Sequence, residues 1–142
     1  MQHTSLQPAV LFVRCALAAG FLSAVADRFG LWGSPGTSGV VWGHMPAFLD
    51  YTRQLLWFLP AGVANAAGWI ATVAEVVLAF GLLLGVALRV VALSSGVLLL
   101  LFALAITAAS GPEAALSYSV WTAASAAFLL GAVSDGRGRS RF

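Results

Sequence analysis

Four long apolar stretches fill most of the 142-residue chain, and the ionisable residues inside them are Arg14, the adjacent Asp27 and Arg28, and Glu75. Stretches of about 20 residues cross the ~30 Å hydrocarbon layer of a bilayer as α-helices, because a helix satisfies its backbone hydrogen bonds internally where no water is present. The period-2 alternation of a barrel strand is absent. Only 8% of the residues are charged and 61% are hydrophobic, against about 25% charged in a soluble domain. Too little polar surface exists to cover a water-soluble globule, so the chain is expected to contact a lipid bilayer.

The apolar runs predict spans over residues 9–31, 61–86 (or from 66), 90–109 and 114–133. The expected fold is an all-α, integral membrane four-helix bundle forming one domain over residues 1–133, followed by a polar, Arg-rich tail over 134–142. All seven basic residues are arginines. With four spans, Arg89, Arg137, Arg139 and Arg141 fall on one side, and the positive-inside rule then places both termini in the cytoplasm, giving a multi-pass protein of a bacterial inner (plasma) membrane. The net charge of +2 is small and suggests no nucleic-acid partner. A secretory signal is the rival reading of the start, with Ala24-Val25-Ala26 resembling a cleavage site. The apolar stretch continuing through Phe29, Leu31 and Trp32 favours a retained span.

The loop over 33–60 opens with Gly33, Ser34, Pro35 and Gly36, which shape turns. Its second half, PAFLDYTRQLLWFLP, mixes apolar and polar positions between two prolines and predicts a short helix. Two roles are open: lying in the outer interface with Tyr51 and Trp57 at headgroup depth, or forming a lid over an opening between the spans.

The buried charges are the candidate site. Counted from one face, Arg14 lies ~7 Å deep and Glu75 ~16 Å deep, a difference near the reach of an extended arginine. An unpaired ion at such depth costs about 2.5 to 3.5 kcal/mol or more, so an Arg14–Glu75 ion pair or shared water network is expected. It is either a structural staple or a polar site for a quinone head group or proton relay. Asp27 and Arg28 are expected at the outer interface, solvated, with Arg53 as a partner for Asp27. Arg14 and Arg28 are close to four helical turns apart and share one face, giving the first helix a polar seam. Tyr118 and Trp121 belong either to an interfacial aromatic belt or to a quinone-stacking pocket. Gly81 and Gly85, and Ala123, Ala127 and Gly131, form small-residue faces that close the bundle or build a homo-oligomer; Gly85 also suits a helix C-cap.

Other chemistries lack their residues. His3 and His44 lie outside the spans, so no bis-His haem ligation is available. The single Cys15 has no C-x-x-C partner, which leaves it as a small apolar filler, and no metal-ligand cluster, phosphate loop or nucleophile elbow appears.

The early arginine in LFVRCALAAGFLSAVADRFG, followed by WIATVAEVVLAFGLLLGVALR and SYSVWTAASAAFLL, resembles the DoxX family of small four-helix membrane proteins over nearly the whole chain. The resemblance implies a membrane subunit or anchor of a quinone- or sulfur-linked redox system, an oxidoreductase subunit that acts with a redox partner protein and binds quinone. A noncatalytic scaffold or assembly factor is the alternative. A small-solute carrier is a third, although neither inverted repeats nor a Pro-interrupted span is present.

Overall fold

The computed structural model describes residues 6–135. These form six helices: α1 (Leu6–Arg28), α2 (Met45–Leu55), α3 (Ala61–Leu84), α4 (Leu88–Ser110), α5 (Pro112–Ser117) and α6 (Val120–Asp135). No strand occurs among the described residues. Three helices, α1, α3 and α4, are long and apolar enough to span a membrane, so the chain is an all-helical, multi-pass membrane protein. Arg137, Arg139 and Arg141, on which the expected orientation depends, lie outside the described residues, as does most of the expected tail.

Helix boundaries follow local chemistry. The first helix stops at Arg28, before the expected residue 31, because Gly30 takes a left-handed conformation (φ +74°) and turns the chain. Gly85 (φ +71°) closes α3 as its C-cap, donating its N–H to the Gly81 carbonyl. At the start of α2, the His44 side chain accepts the Ala47 N–H, so a residue with no role assigned from sequence is an N-cap.

The expected continuous span over 114–133 is interrupted. Helix α5 ends at Ser117, Ser119 adopts φ +56°, and α6 begins at Val120. The Ser119 N–H turns to the Leu116 carbonyl, three residues back, and the left-handed backbone at Ser119 separates the two helices. Helix α6 then continues past 133 to Asp135, taking Ser134 and Asp135 out of the expected tail. At 16 residues it is ~24 Å long, shorter than a hydrocarbon layer.

In the interior α1 packs on α3, α3 on α4, α4 along α6, and α6 on α1. Leu17, Phe21, Ala79, Leu82, Ala92 and Leu130 form the centre of this core. The small residues set the separations. A Cβ at Gly81 would lie 2.9 Å from Val91 Cγ2, and one at Gly131 would lie 2.6 Å from Leu93 Cδ2. Gly81 and Gly131 are therefore met by α4 of the same chain, whereas Gly85 faces Arg14 of α1. Cys15, expected as an apolar filler, is exposed instead. The outward faces carry Phe12, Ile70, Val77 and Leu101, as surfaces bathed in lipid require.

Backbone hydroxyl bonding completes the adaptation to an apolar solvent. Thr72, Ser95, Thr107, Ser125 and Ser134 each donate to the carbonyl four residues earlier, which removes an unsatisfied donor from a medium that cannot accept it.

The segment between α1 and α2 is folded back on itself. A Cβ on Gly43, at φ +70°, would come within 2.6 Å of the Pro35 backbone nitrogen. Gly43→Ala should therefore lower stability by about 1–3 kcal/mol, read as a reduced unfolding midpoint in mixed micelles. Gly62→Ala, where the added carbon meets nothing, should leave the midpoint unchanged or raise it slightly.

Candidate functional site

Glu75 and Arg28 form an ion pair in the protein interior, 2% and 4% exposed. Glu75 stands nine residues before the end of α3, ~14 Å along the helix and so near its middle. Arg28 is the last residue of α1. Its Nη2 donates to Glu75 Oε1 at 3.0 Å and its Nη1 donates to Glu75 Oε2. Nη1 also donates to Thr72 Oγ1 at 2.8 Å, and that hydroxyl passes its own proton to the Gly68 carbonyl. A two-pronged guanidinium–carboxylate contact is the geometry in which a buried pair best offsets its desolvation.

This pairing corrects the sequence expectation. Arg14 does not meet Glu75: its Nε donates to the Leu82 carbonyl at 2.8 Å and its Nη2 to the Leu83 carbonyl at 3.0 Å. Helix carbonyls at a C-terminus lack intrahelical partners and carry the negative end of the macrodipole, so a cation is well placed there. The physical reason for the exchange is direction. Side chains on a helix lean toward its N-terminus, which draws Arg14 away from Glu75 and Arg28 back into the membrane toward it. Depth counted from Cα positions omits that lean. Gly85 adds a steric condition, since a Cβ there would lie 2.6 Å from Arg14 Nη2.

Contrary to expectation, Asp27 likewise is not solvated by water. It is buried, and its Oδ2 accepts the backbone N–H groups of Val41 (3.2 Å) and Trp42 (2.7 Å). Arg53, the expected partner of Asp27, pairs with Asp50 within α2 and donates from Nη1 to Asn65 Oδ1 of α3 at 3.0 Å. Successive helical residues project about 100° apart. Asp27 and Arg28 therefore serve different neighbours, one the loop and the other α3.

Helix α2 lies over the ion pair. Phe48 places its ring 3.7 Å from Arg28 Cζ, a cation–π contact. Thr52 and Met45 share the buried face of α2 with Phe48. Gly68 makes the crossing possible: a Cβ there would meet Leu49 Cδ2 at 2.7 Å, with Thr52 and Phe48 also in contact. Trp42 packs against Phe48 (5.7 Å) and Tyr51 (4.7 Å). Asp27 thus holds Trp42, Trp42 supports Phe48, and Phe48 covers Arg28. Burial pushes the Tyr51 phenol above its usual value.

Of the remaining candidates, Tyr118 is exposed at the break between α5 and α6, and Trp121 is half-buried one turn on. Neither lines the open groove that Ser23, Asp27, Trp32 and Trp42 form between α1 and the segment after it. Phe48, Thr72 and Gly68 were not singled out as site residues in the sequence. Thr72 precedes Glu75 by three residues, the spacing of one helix face, and was the available signal.

No protein-family model, curated protein or solved structure matches the chain.

Removing one partner of the pair should be costly, because it strands the other charge in an apolar interior. Arg28→Ala or Glu75→Ala should each destabilise by about 3–5 kcal/mol, whereas Arg28→Leu combined with Glu75→Leu should cost less than either single change. Reversible unfolding in mixed micelles measures all three. Arg14→Gln should cost about 1–3 kcal/mol, since carbonyls rather than a charge lose their partner.

Proposed function

We propose that this chain is an inner-membrane protein of DoxX-like type that serves as the membrane subunit or anchor of a quinone- or sulfur-linked redox system. In this reading α1, α3 and α4 are three passes of a four-helix bundle and α5 with α6 makes the fourth, so that both termini lie on the cytoplasmic side. The observation that carries the reading is the Arg28–Glu75–Thr72 centre, a set of ionisable and hydroxyl groups buried near the middle of α3. Intramembrane ionisable groups are retained against a substantial insertion cost and commonly mark proton or substrate paths.

The chemistry follows from the groups present. A partner supplies two electrons to a quinone; Glu75 relays one proton at a time to a quinone oxygen and is reprotonated from water, and two such transfers give the quinol. Arg28 holds the charge that develops on the oxygen. Arg14, bound to the end of α3, positions that helix and takes no part. Glu75 is 2% exposed, so quinone reaches it only when α2 lifts Phe48 from Arg28. Helix α2 then acts as a lid.

A second reading is favoured by the same closure. The pair's oxygens and most of its donors are already engaged by one another and by Thr72, which suits a noncatalytic scaffold whose charges fix helix register and whose surface binds a partner protein.

Quinone content separates the two. Protein purified gently from its membrane should carry close to one quinone per chain, lost in Glu75→Gln and kept in Arg14→Gln. Quinone no higher than in an unrelated four-helix control would overturn the redox-site reading and leave the scaffold, with co-purifying proteins as its guide.

A further inference from the structure

Helix α2, the cover over the Arg28–Glu75 pair, is 11 residues long. Helices that short are marginal in water without caps or packing, so the contacts at its start decide how firmly it is held. Pro46 has no N–H to satisfy there, and no acidic side chain stands in the first turn to favour its positive end. The remaining device is His44. Its Nδ1 accepts the Ala47 N–H at 3.1 Å from an extended backbone, as an N-cap does. Where α3, α4 and α5 begin, at Pro60, Ala87 and Gly111, no side chain caps the helix.

An imidazole differs from the usual capping groups in one respect. The oxygens of Ser, Thr and Asn accept a hydrogen bond at any ordinary pH, whereas a ring nitrogen accepts only while it carries no proton, and imidazolium is a donor at both nitrogens. Imidazole is also the side chain that takes up a proton near neutrality. His44 is exposed to water, so protons reach it directly. Protonation removes the acceptor from the Ala47 N–H and sets a positive charge at the end of α2 where the macrodipole is itself positive. Both effects act against the first turn. That turn leads into Phe48, which is buried with Met45 and whose ring lies 3.7 Å from Arg28 Cζ.

The charged groups on the elements around α2 are engaged elsewhere. Asp27 of α1 accepts from Val41 and Trp42, Arg28 of α1 pairs with Glu75 of α3, and Arg53 pairs with Asp50 within α2. Tyr51 of α2, held protonated by burial, has Tyr118 as its electrostatic neighbour. Helix α4 carries Arg89 at its start, and α5 carries Glu113. No carboxylate among the described residues pairs with His44, so the Ala47 N–H is the contact that a proton on the ring displaces.

We propose that His44 is a proton switch on the cover. The neutral ring caps α2 and keeps Phe48 over Arg28; as the pH falls, the protonated ring releases the first turn and shifts the cover toward an open state. The switch is independent of the redox reading, since it concerns access to the pair and not what the pair does.

Hydrogen exchange of the full chain in phosphatidylcholine nanodiscs, followed by mass spectrometry and divided by the intrinsic exchange rate at each pH, tests the switch. From about pH 7.5 to about pH 5.5, across the ordinary imidazole range, wild-type protection over α2 should fall by roughly fivefold, the size of a lost N-cap. Protection over α4 should not change. His44→Asn keeps an oxygen to accept the Ala47 N–H and takes up no proton, so its α2 should be equally protected at both values. His44→Ala should be poorly protected at both. Wild-type protection that does not respond to pH, a fall of the same size in His44→Asn, or a fall shared equally by α4 would each overturn the proposal, and none of these results bears on the quinone content of the protein.

Discussion

An ion pair in an apolar interior is stable only when each partner finds the other in good geometry, and the arrangement around Arg28 and Glu75 is organised by that requirement. Moving either charge out of water is costly, and mutual attraction offsets the cost only in good geometry, here the two-pronged contact of Nη1 and Nη2, with Arg28 Nε left a buried donor without a partner. Thr72 supplies one acceptor from the same face of α3 as Glu75, and Phe48 supplies a ring face from α2. The pair thereby fixes the register of α1 against α3 and gives α2 a seat. Arg14, binding the last carbonyls of α3, holds the same two helices at a second level. One polar seam on α1 is read by α3 at two depths.

Adjacent charges of opposite sign at Asp27 and Arg28 would neutralise each other in a flexible peptide. On a helix they project in different directions, and each serves a separate element. Asp27 gathers the backbone of Val41 and Trp42, and Trp42 in turn packs on Phe48. The close approaches at Gly30 and Gly43 let the intervening segment fold tightly enough for this to occur. Covering of the buried pair by α2 thus depends on a carboxylate one residue away from the pair, through a chain of contacts that leaves and returns to the end of α1.

The helix packing is governed by close approach rather than by large side chains. Lipid tails are as apolar as leucine, so helices in a bilayer gain from van der Waals contact and interhelical hydrogen bonds more than from burial. Gly81 against Val91, Gly96 against Phe128 and Gly131 against Leu93 are such contacts. They place α4 centrally, between α3 on one side and α6 on the other. The break at Ser119 lies beyond this packed region, where a left-handed residue disturbs no tight interface.

Hydropathy alone determined that this is a helical membrane protein, because long uncharged runs admit few other solutions, and it placed α1, α3 and α4 within a few residues of their ends. It also singled out Arg14, Asp27, Arg28 and Glu75, since charges inside such runs are costly enough to require a role. Partnership was decided only in three dimensions. Cα depth made Arg14 the nearer match for Glu75, but the lean of helical side chains and the packing of α1 on α3 gave that place to Arg28. The loop was legible as turns plus a short helix; the seating of that helix over the pair was not, because it depends on Gly68, Phe48 and Asp27 meeting from three separate elements. The division between α5 and α6 was hidden for a related reason: a hydropathy profile sums composition along the chain, whereas a single left-handed residue acts through backbone geometry.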